Sequence, residues 1–258
     1  MADINEIKSE VISILQQVGD LLRTNPEINK ISTKTGRTDL VTNWDKQIEK
    51  KVDEDLRKKF PEAHIISEEG FGDHSINLDG LVFFVDPIDG TMNFVKCRDD
   101  FASMIGVYQD GKPIFGGIMD IMNNNIYYGG PKIGSFVNTT KLNDPEDLDL
   151  CDSLVTISNR LLFTNHYDVW QVAKSSCGLR IYGSAGIIFS RIFDGKENVY
   201  ISHLKPWDLA AGRAIGAGLG IEVSTVDGKP INMLKSQTVI IGTRCASKEA
   251  RDIISNAE

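Results

Sequence analysis

Asp86 and Asp89 stand three residues apart in the run Val82-Phe83-Phe84-Val85-Asp86-Pro87-Ile88-Asp89-Gly90-Thr91, the most informative stretch of the chain. An apolar strand over 81–85 delivers Asp86 at its end. Pro87 stiffens the next step and removes a backbone donor. Two carboxylates leaving one strand end repel each other unless a cation lies between them. Gly90 lets the backbone come close to a ligand, and the amides of Gly90 and Thr91 are placed to grip an anion at a helix start. A cation site beside an anion site suits a metal-bridged phosphate. Taken singly, Asp86-Pro87 and Asp89-Gly90 are ordinary turn signals. The combination of apolar strand, paired acids and Gly-Thr is far more specific.

Further acids fall in similar places. Glu68-Glu69-Gly70 follows a strand expected over 63–67, although a bare glutamate pair is usually a solvated loop. Trp207-Asp208-Leu209-Ala210-Ala211-Gly212 puts an acid near a helix start among small residues, where a first-turn aspartate is equally ordinary. Lys34, Asp39, Thr42 and Asp45 surround the start of another helix, and capping by Thr42 or Asn43 explains that pattern on its own. Other chemistries are missing. There is no G-x-x-x-x-G-K-[ST] loop, no H-E-x-x-H and no G-x-S-x-G, and the four histidines lack ligand spacing. Gly216, Gly218 and Gly220 end a helix and precede a strand, the reverse of the order a dinucleotide fingerprint needs.

The elements that must position these residues are legible from periodicity. Ile4, Ile7, Val11, Ile14, Leu15, Val18, Leu21 and Leu22 mark an amphipathic helix ending before Asn25-Pro26, and Trp44, Ile48, Val52 and Leu56 mark a second over 43–59. Strands are expected over 63–67, 81–85, 101–108, 113–121 and 126–128, with a turn at 109–112. An acidic connector at 139–152 divides the chain into subdomains 1–150 and 151–258. Beyond it strands (153–158, 179–182, 198–201, 221–224, 238–242) alternate with helices (167–174, 184–193, 207–219, 247–255), which implies layers of helices and sheets.

Composition narrows the partners. The chain has 258 residues, 41% hydrophobic and 25% charged, a globular balance with enough length to bury a core. A net charge of -8 argues against nonspecific nucleic-acid binding and against a polybasic grip on a membrane. The polar start carries no secretory signature, and the longest apolar runs are strand-sized. Cys97, Cys151, Cys177 and Cys245 form no C-x-x-C pair and read as reduced thiols of a cytoplasmic protein.

Jointly the motifs are recognisable. Asp86-Pro87-Ile88-Asp89-Gly90-Thr91-Met92-Asn93-Phe94 and Trp207-Asp208-Leu209-Ala210-Ala211-Gly212 resemble the two signatures of the inositol monophosphatase family. Asp39-Leu40-Val41-Thr42-Asn43-Trp44-Asp45 and Ser67-Glu68-Glu69-Gly70 resemble its two upstream motifs. The four occur in the family's order, and the resemblance covers nearly the whole chain. It implies an α/β (α+β) fold, a layered α-β-α-β-α sandwich, as a single domain that is commonly a homodimer. It also implies a magnesium-dependent, lithium-sensitive phosphomonoesterase acting on a small phosphorylated substrate.

Carried over by residue, the resemblance implies that Glu68, Asp86 and the Ile88 carbonyl hold one Mg²⁺, and that Asp86, Asp89 and Asp208 hold a second. A third, weaker ion leans on Glu68, and Mn²⁺ is an expected substitute. Thr91 and Asp45 orient and deprotonate the attacking water. Lys34 lies near the phosphate, Gly90 contributes to the anion grip, and Gly183-Ser184-Ala185 line the substrate side. The family's inositol-binding glutamate, seven residues before the final metal aspartate, is Ile201 here. Loss of such a hydroxyl partner relaxes discrimination, so inositol 1-phosphate is expected to be one of several substrates or a poor one. Arg180, His203 and Lys205 read either as solvated surface or as readers of a second phosphate or a nucleotide.

The expectation is an inositol-phosphate phosphatase. The alternatives within the fold are fructose 1,6-bisphosphatase, NADP phosphatase or 3′-phosphoadenosine 5′-phosphate phosphatase. A noncatalytic scaffold has no reason to gather five acids, and no 12-residue calcium loop is present.

Overall fold

Two helices that begin the chain follow the apolar spacing closely. The computed structural model describes residues 3–24, 31–33, 40–73 and 77–256. Helix α1, Ile4–Thr24, buries Ile7, Val11, Ile14, Leu15, Val18 and Leu22; α2, Asn43–Lys59, buries Ile48, Val52 and Leu56. Between them a short antiparallel pair, β1 (Ile31–Thr33) and β2 (Leu40–Thr42), was not expected from the sequence. Lys34 and Asp39 lie outside the described residues.

Both helices pack on one face of a seven-stranded sheet. Its strands are β3 (His64–Ser67), β4 (Leu81–Asp89), β5 (Ala102–Gln109), β6 (Lys112–Asp120), β7 (Asn125–Gly130), β8 (Gly134–Val137) and β9 (Thr140–Lys141), in sequential order. Only β3 and β4 run parallel; the other neighbours are antiparallel. Helix α3, Thr91–Lys96, leaves the end of β4.

The second sheet has the order β11-β10-β12-β14-β13. Its strands are β10 (Leu154–Ile157), β11 (Gly178–Arg180), β12 (Val199–Leu204), β13 (Glu222–Thr225) and β14 (Gln237–Gly242). Helices α4 (Asn159–Thr164), α5 (Val169–Ser175) and α8 (Arg244–Ser255) share a core with its outer face through Leu161, Val172, Ala250 and Ile254. Helices α6 (Ala185–Phe193) and α7 (Pro206–Gly216) lie between the sheets, sharing one core with Phe84, Met104 and Ile118 on one side and Tyr200, Val239 and Ile241 on the other. The layers therefore read α-β-α-β-α, as the resemblance implied.

Three departures from expectation have local causes. Strand β4 does not end before Asp86 but continues through Pro87 to Asp89, its register against β5 shifting between Asp86 and Asp89. A bulge absorbs the donor that proline lacks. Strand β12 runs on to Leu204, because pairing with β14 extends it past 201. Strands β8 and β9 and helix α4 are too short for periodicity to reveal.

Helix α7 sits unusually close to the first sheet. A Cβ at Gly106 would stand 2.5 Å from the Ala210 Cβ, and one at Gly116 would stand 2.4 Å from the Ala211 carbonyl oxygen. This close approach explains the small residues around Asp208. Gly106→Val is expected to push α7 off the sheet and destabilise the protein by about 1–3 kcal/mol or more, the usual range for overpacking. The denaturant midpoint measures this.

Candidate active site

The ends of β3 and β4 and the starts of α3, α6 and α7 surround a cavity of about 280 Å³, lined by Glu68, Asp86, Ile88, Asp89, Gly90, Thr91, Gly183, Ser184, Ala185 and Asp208, with Lys205 at its side. Thus acids from three distant segments face one space, and Asp45 reaches it from α2 through Thr91.

Asp45 serves two neighbours. Its Oδ2 accepts the Thr42 N–H at 2.7 Å and the Thr42 hydroxyl at 2.5 Å, closing the capping box of α2. Its Oδ1 lies 3.1 Å from the Thr91 hydroxyl, which is also 3.1 Å from the Ile88 carbonyl oxygen. Burial raises the Asp45 pKa, and the hydrogen bonds from Thr42 and Thr91 oppose that rise.

Asp89 is held by the start of α6. The Ser184 hydroxyl donates to its Oδ2 at 2.5 Å, the Gly186 amide to Oδ2 at 2.7 Å and the Ala185 amide to Oδ1 at 3.0 Å. Such donors favour the ionised form, yet burial still pushes Asp89 up to about 6. Ser184 and Ala185 border the cavity, and in this arrangement their donors face a carboxylate. Gly90, at φ +87°, lies against Ser184; a Cβ there would meet the Ser184 Cβ at 2.9 Å. Gly183 borders the same space.

Asp208 accepts the Lys205 N–H at 2.8 Å from the first turn of α7. It keeps some exposure toward the cavity, but protein walls it in, and desolvation followed by the Glu68 charge pushes it up to about 8. Asp86 is 1% exposed, and its Oδ1 has no hydrogen-bond partner. Burial, then the charges of Glu68, Asp89, Asp208 and Asp45, raise it well above the usual carboxylate range. Against this charge stands the Lys205 ammonium, 3.1 Å from Glu68 Oε1 and 5.3 Å from the Trp207 ring centre.

The donor set fits a hard divalent cation. Oxygen ligands, a buried carboxylate oxygen with no partner and mutual repulsion are the conditions Mg²⁺ relieves. In this arrangement no three His, Cys, Asp or Glu side chains among the described residues are grouped closely enough to hold an ion. The carboxylates share a cavity but stand apart, as expected of like charges, and closing on an ion calls for side-chain rotation.

Known proteins agree with this chemistry. The model of the inositol monophosphatase family matches residues 3–258. The chain belongs to the inositol monophosphatase family. It is 34% identical over 218 residues to an inositol-1-monophosphatase of Bacillus subtilis, covering 82% of each chain. A solved IMPase/NADP phosphatase complexed with Mg²⁺ and phosphate superposes with a TM-score of 0.88 at 29% identity, covering 96% of this chain and 95% of that one. A staphylococcal inositol monophosphatase-1, in an inhibitory complex soaked in 100 mM LiCl, gives 0.90 at 29% identity, covering 98% and 96%. This family member is accordingly a phosphoric monoester hydrolase with a divalent metal cofactor.

The inositol monophosphatase fold also corrects one reading of the sequence. Ile201 does not face the cavity: it is buried with Val155, Ile157, Val199 and Ile240 on the far side of β12. Tyr200, Ser202 and Leu204, on the other face, line the cavity. The period of two along a strand was the signal that could have separated them. Of three cationic candidates, only Lys205 lines the cavity; His203 is exposed and 3.1 Å from the Thr238 hydroxyl, and Arg180 is exposed. Sequence reasoning also missed Thr156, Ser158, Asn159 and Tyr182 on the cavity wall. Behind them Glu197, fully buried, accepts from Arg191 Nε at 2.6 Å and from the Thr156 hydroxyl.

The raised carboxylates give a pH signature. A folded pKa above the unfolded value of 3.8 contributes stability at low pH that is lost as pH rises through the folded values, here about 6 for Asp89 and about 8 for Asp208. Protein in EDTA should therefore lose stability from about pH 4, near the unfolded value, to about pH 8 from these groups. Mg²⁺ needs the ionised forms, so the rise in Tm on adding it should grow across the same window. Thermal melts with and without Mg²⁺ test both slopes.

Proposed function

We propose that this phosphatase hydrolyses inositol monophosphate by direct attack of water. The observation that carries the reading is Asp86, buried among Glu68, Asp89 and Asp208 with a carboxylate oxygen unsatisfied. In the proposal Glu68, Asp86 and the Ile88 carbonyl hold one Mg²⁺, and Asp86, Asp89 and Asp208 hold another. A third ion leans on Glu68, and Mn²⁺ substitutes. When bound, such cations stabilise the entering and departing oxygens of an in-line displacement.

The chain's own residues do the rest. Asp45, linked to the Thr91 hydroxyl at 3.1 Å, is the group proposed to take a proton from the attacking water, and Thr91 orients that water. No histidine among the described residues lines the cavity, so the base is assigned to a carboxylate. The Gly90 and Thr91 amides, at the start of α3, face the phosphate. Ser184 and Ala185 act by holding Asp89. Lys34 remains proposed as a phosphate neighbour on the resemblance alone.

The wall beyond the acids is neutral and rich in hydroxyls: Thr156, Ser158, Tyr200 and Ser202 with the Asn159 amide. It suits a polyol leaving group, which favours inositol 1-phosphate. One observation favours a second reading. Lys205 is the sole cationic residue among the described residues lining the cavity, and it suits a substrate bearing a second anionic group, such as fructose 1,6-bisphosphate, NADP or 3′-phosphoadenosine 5′-phosphate. Phosphate release with Mg²⁺ across that panel decides: inositol 1-phosphate is expected to lead, and a rate slower by orders of magnitude would rule it out.

Asp86→Asn is expected to abolish turnover and Mg²⁺ binding while the protein stays folded. Unchanged turnover by phosphate assay would remove the metal assignment.

The proposal extends to a single working domain over 1–258, with subdomains 1–150 and 151–258 meeting at the cavity, to a homodimer and to lithium inhibition. It also places the enzyme in the cytoplasm, acting on neither nucleic acid nor membrane. Four free cysteines suit a reducing compartment. No helix among the described residues is long and apolar enough to cross a membrane.

A further inference from the structure

Beneath the loop that carries Glu68 lies a second pair of acids. Glu49 and Asp53 are one turn apart on the buried face of α2, at 0% and 4% exposure. Asp45 lies one turn before them, so 45, 49 and 53 form a single acidic stripe at i, i+4 spacing. Among the described residues no ion pair reaches Glu49: Lys50 and Lys51 pair with Glu54 and Asp55, and Arg57, one turn past Asp53, pairs with Asp73 at 2.8 Å.

The partners of Glu49 are instead donors of the loop. Its Oε2 accepts the Glu69 N–H at 2.5 Å, and its Oε1 accepts the Phe71 N–H at 2.9 Å and the Ser67 hydroxyl at 2.9 Å. Ser67 Oγ in turn accepts the Gly72 N–H at 2.9 Å. The segment from Ser67 to Gly72 is thus folded around one anion, and residues on both sides of Glu68 are tied to it. A buried carboxylate beside a second buried carboxylate is a poor way to stabilise a fold; apolar residues of similar volume serve as well or better. What the carboxylate offers is direction. Three donors converge on two oxygens, so the loop has one arrangement, and in it Glu68 faces the cavity.

We propose that Glu49 is a positioning residue for cation binding, acting through the Ser67–Gly72 loop to hold Glu68 at the cavity. Helix α2 then carries both Asp45, joined to Thr91, and the anchor of the Glu68 loop, which fixes the distance between the proposed base and a proposed ligand. The inference rests on Glu68 being a cation ligand.

The full chain and its Glu49→Gln, Asp53→Asn and Glu68→Gln variants are compared by calorimetric Mg²⁺ titration and by melting in EDTA. Glutamine keeps the shape but turns an amide group toward loop donors. Glu49→Gln should bind Mg²⁺ about tenfold or more weakly, the usual effect of losing a partner that orients a ligand. Its metal-free Tm should change little, relief of the repulsion with Asp53 offsetting the loop donor that loses its acceptor. Its Mg²⁺ activation curve should shift to higher concentration with kcat recovered at saturation. Asp53→Asn, whose carboxylate touches neither loop amide and lies 3.4 Å from the shared Ser67 hydroxyl, should cost far less Mg²⁺ affinity than Glu49→Gln.

Wild-type Mg²⁺ affinity in folded Glu49→Gln, or a lowered Tm with affinity intact, overturns the inference. Retained affinity in Glu68→Gln overturns the ligand reading beneath it; affinity lost there but kept in Glu49→Gln sinks the inference alone. Should Glu49→Gln fail to fold, hydrogen exchange in metal-free wild type decides. Protected Glu69 and Phe71 amides support the clamp, and exchange at the rate of an open loop rejects it.

Discussion

Repulsion among carboxylates withdrawn from water is the constraint around which this structure is arranged. Glu68, Asp86, Asp89 and Asp208 border one cavity, and each raises the charge burden on the others. Within the described part of the cavity wall, one ammonium, on Lys205, offsets them. An arrangement of this kind is stable only with protons or cations present, and the latter are what a phosphate ester needs to meet an acidic protein. The same property that strains the metal-free fold therefore makes it competent to bind substrate.

The fold eases that strain with helix starts. Asp45 and Asp208 occupy the first turns of α2 and α7, and Asp89 receives the first amides of α6. The positive end of each helix lies beside an acid, where partial charge and free N–H groups favour the ion. For Asp45 and Asp208, capping and site chemistry were competing explanations in the sequence. The two readings are compatible: the cap hydrogen bonds of Asp45 use Oδ2 and leave Oδ1 to Thr91, and Asp208 accepts the Lys205 N–H through Oδ2 while lining the cavity.

Selectivity has a separate origin. The acids come from loops and helix starts fed by the first sheet and by α7, whereas the neutral wall comes from β10, β11–α6 and β12 of the second half. Glu68, Asp86 and Asp89 thus come from the first sheet, while the hydroxyl-bearing wall and Asp208, on the helix after β12, come from the second half. Glu197 shows how deep the recognition side runs, since a fully buried carboxylate beneath the wall orients Thr156.

Local pattern by itself determined much of this protein. The long helices, the hairpins of the first sheet and the four acidic motifs were legible because periodicity, turn residues and short-range spacing are properties of neighbouring residues. Only tertiary structure decided the rest. Pro87 was absorbed in a bulge by pairing with β5; Ile201 was turned to the core by the register of β12; Glu49 was buried under a loop about twenty residues ahead of it. Each depends on contacts between residues far apart in the chain, and a face, a register or a buried hydrogen bond exists only once those distant partners have met.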